Sequence, residues 1–403
     1  MSGASDGALA GLRVLDLTTH RGALCTRLLA DMGADVIKVE PPEGESGRRI
    51  GPFVDDLPDR DRSLFFWFYN LNKRSLTLDL TRRRGAEIIR ALARSADVIV
   101  ESFAPGRLAK LGLGWDELHR ENPALILCSI APFGQSGPYR DFEADDTIVT
   151  AASGMLYVNG YPGRKPVRPL GLQAYHSAAN YGAIAIMCAL LARDRDACGQ
   201  WIDLSIQEAA AAAVEHVAGS YFMAKEIEPR RGTLHWSRYF RVGKCRDGYV
   251  MHCSLGDWTS LVEWIKADGK AQDLGAPEWE DVLYRKQHAE HLFDVLDQWA
   301  AGYSRDDLLE RAQTLRLPYA SVRPPETLFD DEQLLARGYF AEVEHPELGR
   351  KFRYPGAPYI FGGTPWRVYR RPPMLGEHTK EILRDDLGID PAEIAALASE
   401  RVI

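Results

Sequence analysis

LRVLDLTTHRGALCTRLLADMGADVIKV, residues 12–39, decides the fold. Leu12-Arg13-Val14-Leu15-Asp16-Leu17 is a short, mostly apolar run, the pattern of a buried strand. Ala23 to Met32 carries apolar residues at helical spacing, and Gly33 stands in the position that closes a helix. Ala34-Asp35-Val36-Ile37-Lys38-Val39 is a second strand. Strand, helix and strand in so short a span make a βαβ unit, which predicts parallel pairing with a right-handed crossover.

The alternation continues outward. Arg83 to Ser95 reads as an amphipathic helix, Asp97 to Val100 as a strand, Trp115 to Arg120 as a helix and Leu125 to Ile130 as a strand. Asn180 to Ala192 reads as a long apolar helix buried on most sides, Trp201 to Ile206 as a strand and Gln207 to Lys225 as an alanine-rich helix. Pro229-Arg230-Arg231-Gly232 reads as a linker. Beyond it come a strand, Tyr249 to Cys253, and helices over Lys286–Ala300 and Asp306–Thr314, the second with Ser304 and Asp307 placed as a capping box. The tail from Ala341 is irregular and is expected to pack on the first domain. The expected fold is α/β: a Rossmann-like large domain, residues 1–225 and 331–403, and a smaller α+β domain, residues 226–330.

Composition narrows the function. The chain has 403 residues, 45% hydrophobic and 26% charged, with a formal net charge of -8. That balance is ordinary for a soluble globular protein and argues against a nucleic-acid binder. No apolar run is long enough for a membrane span, and Met1 to Ala10 does not read as a secretion signal. The cysteines (Cys25, Cys128, Cys188, Cys198, Cys245 and Cys253) are scattered without a C-x-x-C pair, so reduced thiols of a cytoplasmic protein and no metal site are expected.

Four patterns have chemical potential. Asn72-Lys73-Arg74-Ser75 puts two cations at a strand entrance, suited to a phosphate or simply to a solvated turn. Pro132-Phe133-Gly134-Gln135-Ser136-Gly137-Pro138-Tyr139 follows a strand, where open α/β sheets bind ligands, although a turn-rich loop has the same composition. Asp145-Asp146, with Glu143 nearby, is either an acid/base pair or a helix N-terminus. Tyr175-His176 precedes the predicted Asn180 helix and offers a general base or a structural histidine. No Gly-x-Ser-x-Gly or His-Glu-x-x-His occurs, and Thr18-Thr19-His20-Arg21-Gly22 lacks the dinucleotide-binding glycine spacing. These patterns alone point to an α/β enzyme-like protein with candidate sites for a phosphorylated ligand, and to nothing narrower.

Taken in order, longer segments carry a resemblance. They include Leu28 to Pro41, Asn72 to Leu80, Ala96 to Phe103, Leu111-Gly112-Leu113-Gly114, Gly134 to Tyr139, Gly199 to Ser205, Asp247 to Val250 and Leu375 to Thr379. The chain resembles the family III coenzyme A transferases, which include the α-methylacyl-CoA racemases, over nearly its whole length. The resemblance implies an interlocked dimer that moves CoA between an acyl-CoA and a carboxylic acid, with CoA as a substrate and no permanently bound cofactor. It implies that His20, Arg21, Lys38, Leu78, Asp79, Ser102, Phe103, Ala104 and Lys110 line CoA, with Lys73 and Arg74 nearby. It also implies a nucleophilic aspartate, which forms an anhydride and then an aspartyl-CoA thioester. Anchored on Gly199-Gln200 and Leu190 to Arg193, that position is Tyr175, and the racemase histidine position is Asp145.

No catalytic residue is therefore expected in this chain, with His176, Asp145 and Asp146 as weak candidates. The pattern is similar to the aspartate-less subunit of heteromeric members that use succinyl-CoA and benzylsuccinate in anaerobic toluene degradation. A homologous aspartate-bearing subunit is the implied partner. An active homodimer with atypical residues and a CoA-binding scaffold are the other readings. Tyr157, Tyr161, Trp236, Tyr239 and Phe240 are read as packing or as a pocket for an aromatic acid.

Overall fold

In the computed structural model, which describes residues 7–403, β1 (Arg13–Leu17), α1 (Ala23–Asp31) and β2 (Asp35–Glu40) form the expected βαβ unit. Gly33, at φ +98°, turns the chain out of α1, and the Ala34 N–H returns to the Leu29 carbonyl at 3.2 Å. That left-handed conformation is costly for a residue with a Cβ.

The elements that follow are α2 (Leu64–Tyr69), β3 (Arg74–Thr77), α3 (Arg83–Ala93) and β4 (Val98–Glu101). Next come α4 (Arg107–Lys110), α5 (Trp115–Glu121), β5 (Ile126–Ala131), α6 (Asp146–Ala152), α7 (Met155–Val158) and α8 (Gln173–Asp196). β6 (Trp201–Ser205), α9 (Ile206–Ala212) and α10 (Glu215–Ala224) complete this part of the chain. The six strands form one parallel sheet in the order β3-β2-β1-β4-β5-β6. This is the doubly wound arrangement, whose order reverses between β1 and β4.

Two apolar clusters cover the sheet. Cys25, Leu29, Ala178 and Ile186, from α1 and α8, pack with Val14, Val98 and Ile126. Ile88, Leu92 and Leu118, from α3 and α5, pack with Leu15, Ile37 and Ile99. Alternate strand residues thus face opposite helical layers. Gly199 brings the β6 approach against β5: a Cβ there would lie 1.8 Å from the Leu125 carbonyl oxygen.

The chain forms two compact units. Among the described residues, one comprises 7–155, 169–218 and 335–403, and the other 156–168 and 219–334. The second unit has its own core around Trp264, Trp279, Phe293 and Trp299. Its β7 (Phe240–Lys244), β8 (Tyr249–Cys253) and β9 (Ala320–Ser321) form an antiparallel sheet. Its helices are α11 (Trp258–Ala267), α12 (Val282–Gln287), α13 (Ala289–Ala300) and α14 (Arg305–Thr314). Ser304 caps α14: its hydroxyl accepts the Asp307 N–H at 3.1 Å and donates to the Asp307 carboxylate at 2.5 Å.

Four local readings need correction. α8 begins at Gln173, so Tyr175 and His176 lie in its first turn and not ahead of it. Its first turn is polar, which hid it from an apolar-periodicity reading. α8 also exposes Tyr181, Ile184 and Leu191, so it is not buried on most sides. The helix expected over residues 207–225 is divided into α9 and α10, with no Gly or Pro marking the break. The tail expected to be irregular contains a hairpin, β10 (Phe340–His345) paired with β11 (Arg350–Pro355). Its dense charge obscured the strand alternation. His345 is buried there and stacks on Trp67 at 4.1 Å.

Candidate functional site

Open α/β sheets hold ligands beyond the carboxyl ends of their strands, where the order reverses. Here that crevice lies between the loop after β1, Thr18 to Gly22, and the segment after β4, Ser102 to Lys110. The Thr19 N–H donates to Ser102 Oγ at 2.8 Å and ties the two together.

The predicted residues divide into two groups. Arg21 is half-buried, and Ala104 and Lys110 are exposed at this edge. The half-buried Phe103 lies under the Arg107 guanidinium at 5.8 Å. By contrast, Lys38, Lys73 and Arg74 are buried and engaged internally. The Lys73 ammonium lies 2.8–2.9 Å from Asp16 Oδ2, the Ala23 carbonyl, Thr26 Oγ1 and Asn70 Oδ1. Burial pushes its pKa down to about 8, against the pull of Asp16. Lys38 donates to the Thr18 carbonyl and lies 3.5 Å from Asp16 Oδ1. Arg74 Nε donates to Asp35 at 2.9 Å, and its guanidinium also pairs with Asp386 at 3.2 Å.

Each of these three cations meets a carboxylate within the chain. Leu78 is core, and Asp79 accepts the Thr81 N–H at 2.9 Å. The sequence missed the exposed cations Arg107 and Arg140; the Arg140 guanidinium lies over Gly106. The Ser102-Phe103-Ala104-Pro105-Gly106-Arg107 run was the signal for Arg107.

Tyr175 lies at the inner end of the crevice, 3% exposed. Its N–H donates to Asp146 Oδ1 at 3.1 Å, and its ring centroid lies 5.9 Å from that of His20. Burial raises its pKa, opposed by nearby Arg21, so the phenol stays protonated. A protonated phenol is a hydrogen-bond donor and a poor nucleophile. Its hydroxyl has no partner at hydrogen-bond geometry among the described residues.

His20 bonds Ser46 Oγ through Nδ1 at 3.1 Å, and burial lowers its pKa. His176 is not partnerless: its Nε2 lies 2.7 Å from the Tyr69 hydroxyl, 107 positions away in sequence. Burial lowers the His176 pKa against the pull of Asp146, and burial pushes the Tyr69 hydroxyl up to about 12. Asp145 is the N-cap of α6, accepting the Ile148 N–H at 3.0 Å, while Asp146 anchors the first turn of α8. Both carboxylates therefore have the capping roles that acids take at helix starts. Glu143 is exposed. Glu101, at the end of β4, is a buried carboxylate that the sequence did not single out. Among the described residues no group of three or more His, Cys, Asp or Glu is placed to hold a metal ion.

A parallel sheet with exposed cations around its switch point is suited to a phosphate-bearing ligand, and comparison with known proteins identifies the class. Residues 9–379 match the CoA-transferase family III model, and the chain belongs to that family. It is 35% identical over 380 residues to the succinyl-CoA:(R)-benzylsuccinate CoA-transferase subunit BbsE of Thauera aromatica, covering 92% of each chain. It is 31% identical to the succinyl-CoA–L-malate CoA-transferase beta subunit of Chloroflexus aurantiacus, covering 98% of each. A CAIB/BAIF family protein from Brucella suis has the same fold, with a TM-score of 0.84 and 29% identity over 93% of this chain and 98% of that one.

Proposed function

We propose that this chain is the non-catalytic subunit of a heteromeric family III CoA-transferase. A homologous partner would supply the nucleophilic aspartate, succinyl-CoA would be the donor, and a carboxylic acid such as benzylsuccinate the acceptor. The observation that carries this reading is Tyr175: a buried, protonated phenol occupies the position where the resemblance puts the aspartate. The two neighbouring carboxylates, Asp145 and Asp146, are held in helix caps and are not free to replace it. CoA would lie in the crevice between the β1 and β4 loops, its phosphates met by Lys110, Arg107 and Arg140. The two compact units would be the family's large CoA-binding domain and its small domain.

Exposed apolar residues support a partner subunit. α8 exposes Tyr181, Ile184 and Leu191, and the edge strand β6 exposes Trp201. Open apolar edges of this kind favour association. Tyr157, Tyr161 and Trp236, all in the second unit, are likewise exposed and not core. They are available to an aromatic acid or to the partner. No helix among the described residues is long and apolar enough to cross a membrane, and we place the complex in the cytoplasm.

The test is native mass spectrometry of the protein from its own organism, without overexpression. Two unequal homologous chains, one bearing the aspartate, are the expected result. A homodimer alone overturns the heteromeric reading and moves the search to His176.

A further inference from the structure

Two donors stand side by side at the inner end of the crevice. The Tyr175 hydroxyl is buried, and its proton meets no acceptor at hydrogen-bond geometry among the described residues. Arg21 stands beside it on the loop after β1. Lys38, Lys73 and Arg74 each have a carboxylate within ion-pair distance, whereas no described carboxylate pairs with Arg21. An unsatisfied buried hydroxyl is destabilising, so it calls for a reason. A ligand that brings the missing acceptor is one.

Guanidinium and a protonated phenol both donate, and a guanidinium accepts nothing. The group that satisfies both at once is planar, anionic and has two acceptor oxygens. We propose that Arg21 and Tyr175 form a carboxylate-binding subsite, which grips the free acid by one carboxylate without attacking it. Arg21 takes one oxygen through a charge-assisted bond and the Tyr175 hydroxyl takes the other. Asp145 and Asp146, the nearest opposing charges, are turned onto the Ile148 and Tyr175 N–H groups. The ligand class rests on the transferase reading above; the unmet Tyr175 proton and the guanidinium beside it do not.

Isothermal titration calorimetry of succinate into the full-length chain tests the subsite, with CoA titrated separately. Saturable succinate binding is expected in the wild type. Tyr175→Phe keeps the shape and removes the hydroxyl, so succinate should bind about tenfold more weakly or worse, with CoA affinity unchanged. Arg21→Gln should weaken succinate further. Without ligand, Tyr175→Phe should raise the thermal midpoint, because an unsatisfied buried group is gone.

Wild-type affinity for succinate in Tyr175→Phe overturns the subsite, as does displacement of succinate by equimolar inorganic phosphate. Absence of succinate binding to the wild type also overturns it. If CoA still binds in that case, the subsite alone fails; if CoA does not bind either, the transferase reading falls with it.

Discussion

Glu101→Gln is expected to stabilise the protein above neutral pH and to leave it unchanged near pH 4. Glu101 ends β4 and is 4% exposed. One carboxylate oxygen accepts the Phe103 N–H at 2.7 Å, and Ser129 provides a side-chain hydrogen bond. No described cation pairs with it, and Asp203 adds a second negative charge nearby. Burial is the largest influence and raises its pKa from 4.5 to about 7. A folded-state pKa above the unfolded one means that the native protein binds more protons in between. Stability is therefore full below about pH 4.5 and falls as pH rises toward 7, where the folded carboxyl also ionises.

A shift of about 2.5 units at about 1.36 kcal/mol per unit sets the loss at about 3 kcal/mol. With an unfolding entropy of about 2.1 cal/mol/K per residue over 403 residues, that is a rise of roughly 4 °C in thermal midpoint for the variant above pH 7. Glutamine keeps an acceptor for the Phe103 N–H, so the change isolates the charge. Differential scanning fluorimetry of both proteins from pH 4 to pH 8.5 makes the comparison. Two curves offset by a constant amount at every pH would refute the argument, because the effect would then not be titration of Glu101.

Lys73→Met leaves buried Asp16 with Lys38 alone at 3.5 Å and should cost less than the roughly 3–5 kcal/mol of a fully stranded charge, read as a lower urea midpoint. Lys110→Ala, an exposed change, should leave that midpoint unaltered and weaken CoA in a binding titration. Asp145→Ala loses the α6 cap and should cost about 1 kcal/mol in urea unfolding, without changing turnover of the proposed heteromeric enzyme; a large loss of turnover would restore Asp145 as an acid or base. His176→Ala should leave that turnover within about threefold, whereas a fall of about a hundredfold would mark a working base. Tyr175→Asp places a carboxylate at the nucleophile position. After mixing with succinyl-CoA, intact-mass spectrometry should detect a covalent CoA adduct, and its absence would mean that the pocket has diverged beyond this residue.

Local order was legible where burial and backbone geometry act within a few residues. The βαβ unit of residues 12–39 could be read because strand alternation, helical spacing and Gly33 agree with one another. The Ser304 cap of α14 could be read for the same reason, since donor and acceptor lie three residues apart. The site was less legible because it is built by long-range pairing. Tyr69 and His176 meet across 107 residues, and Lys73 reaches Asp16 across 57. Charge type alone does not reveal whether a lysine faces a phosphate or a buried carboxylate.

The clustered cations Lys38, Lys73 and Arg74 therefore read as a ligand site, although the folded chain uses them to neutralise Asp16, Asp35 and Asp386. Charges that close the core are fixed by partners elsewhere in the chain, whereas charges that serve a ligand are the ones left without a partner after folding. By that criterion Lys73 is engaged within the fold, whereas Arg21 and Lys110 are the cations proposed to meet a ligand. The Tyr175 hydroxyl joins them in that proposal on the same ground: no acceptor among the described residues takes its proton.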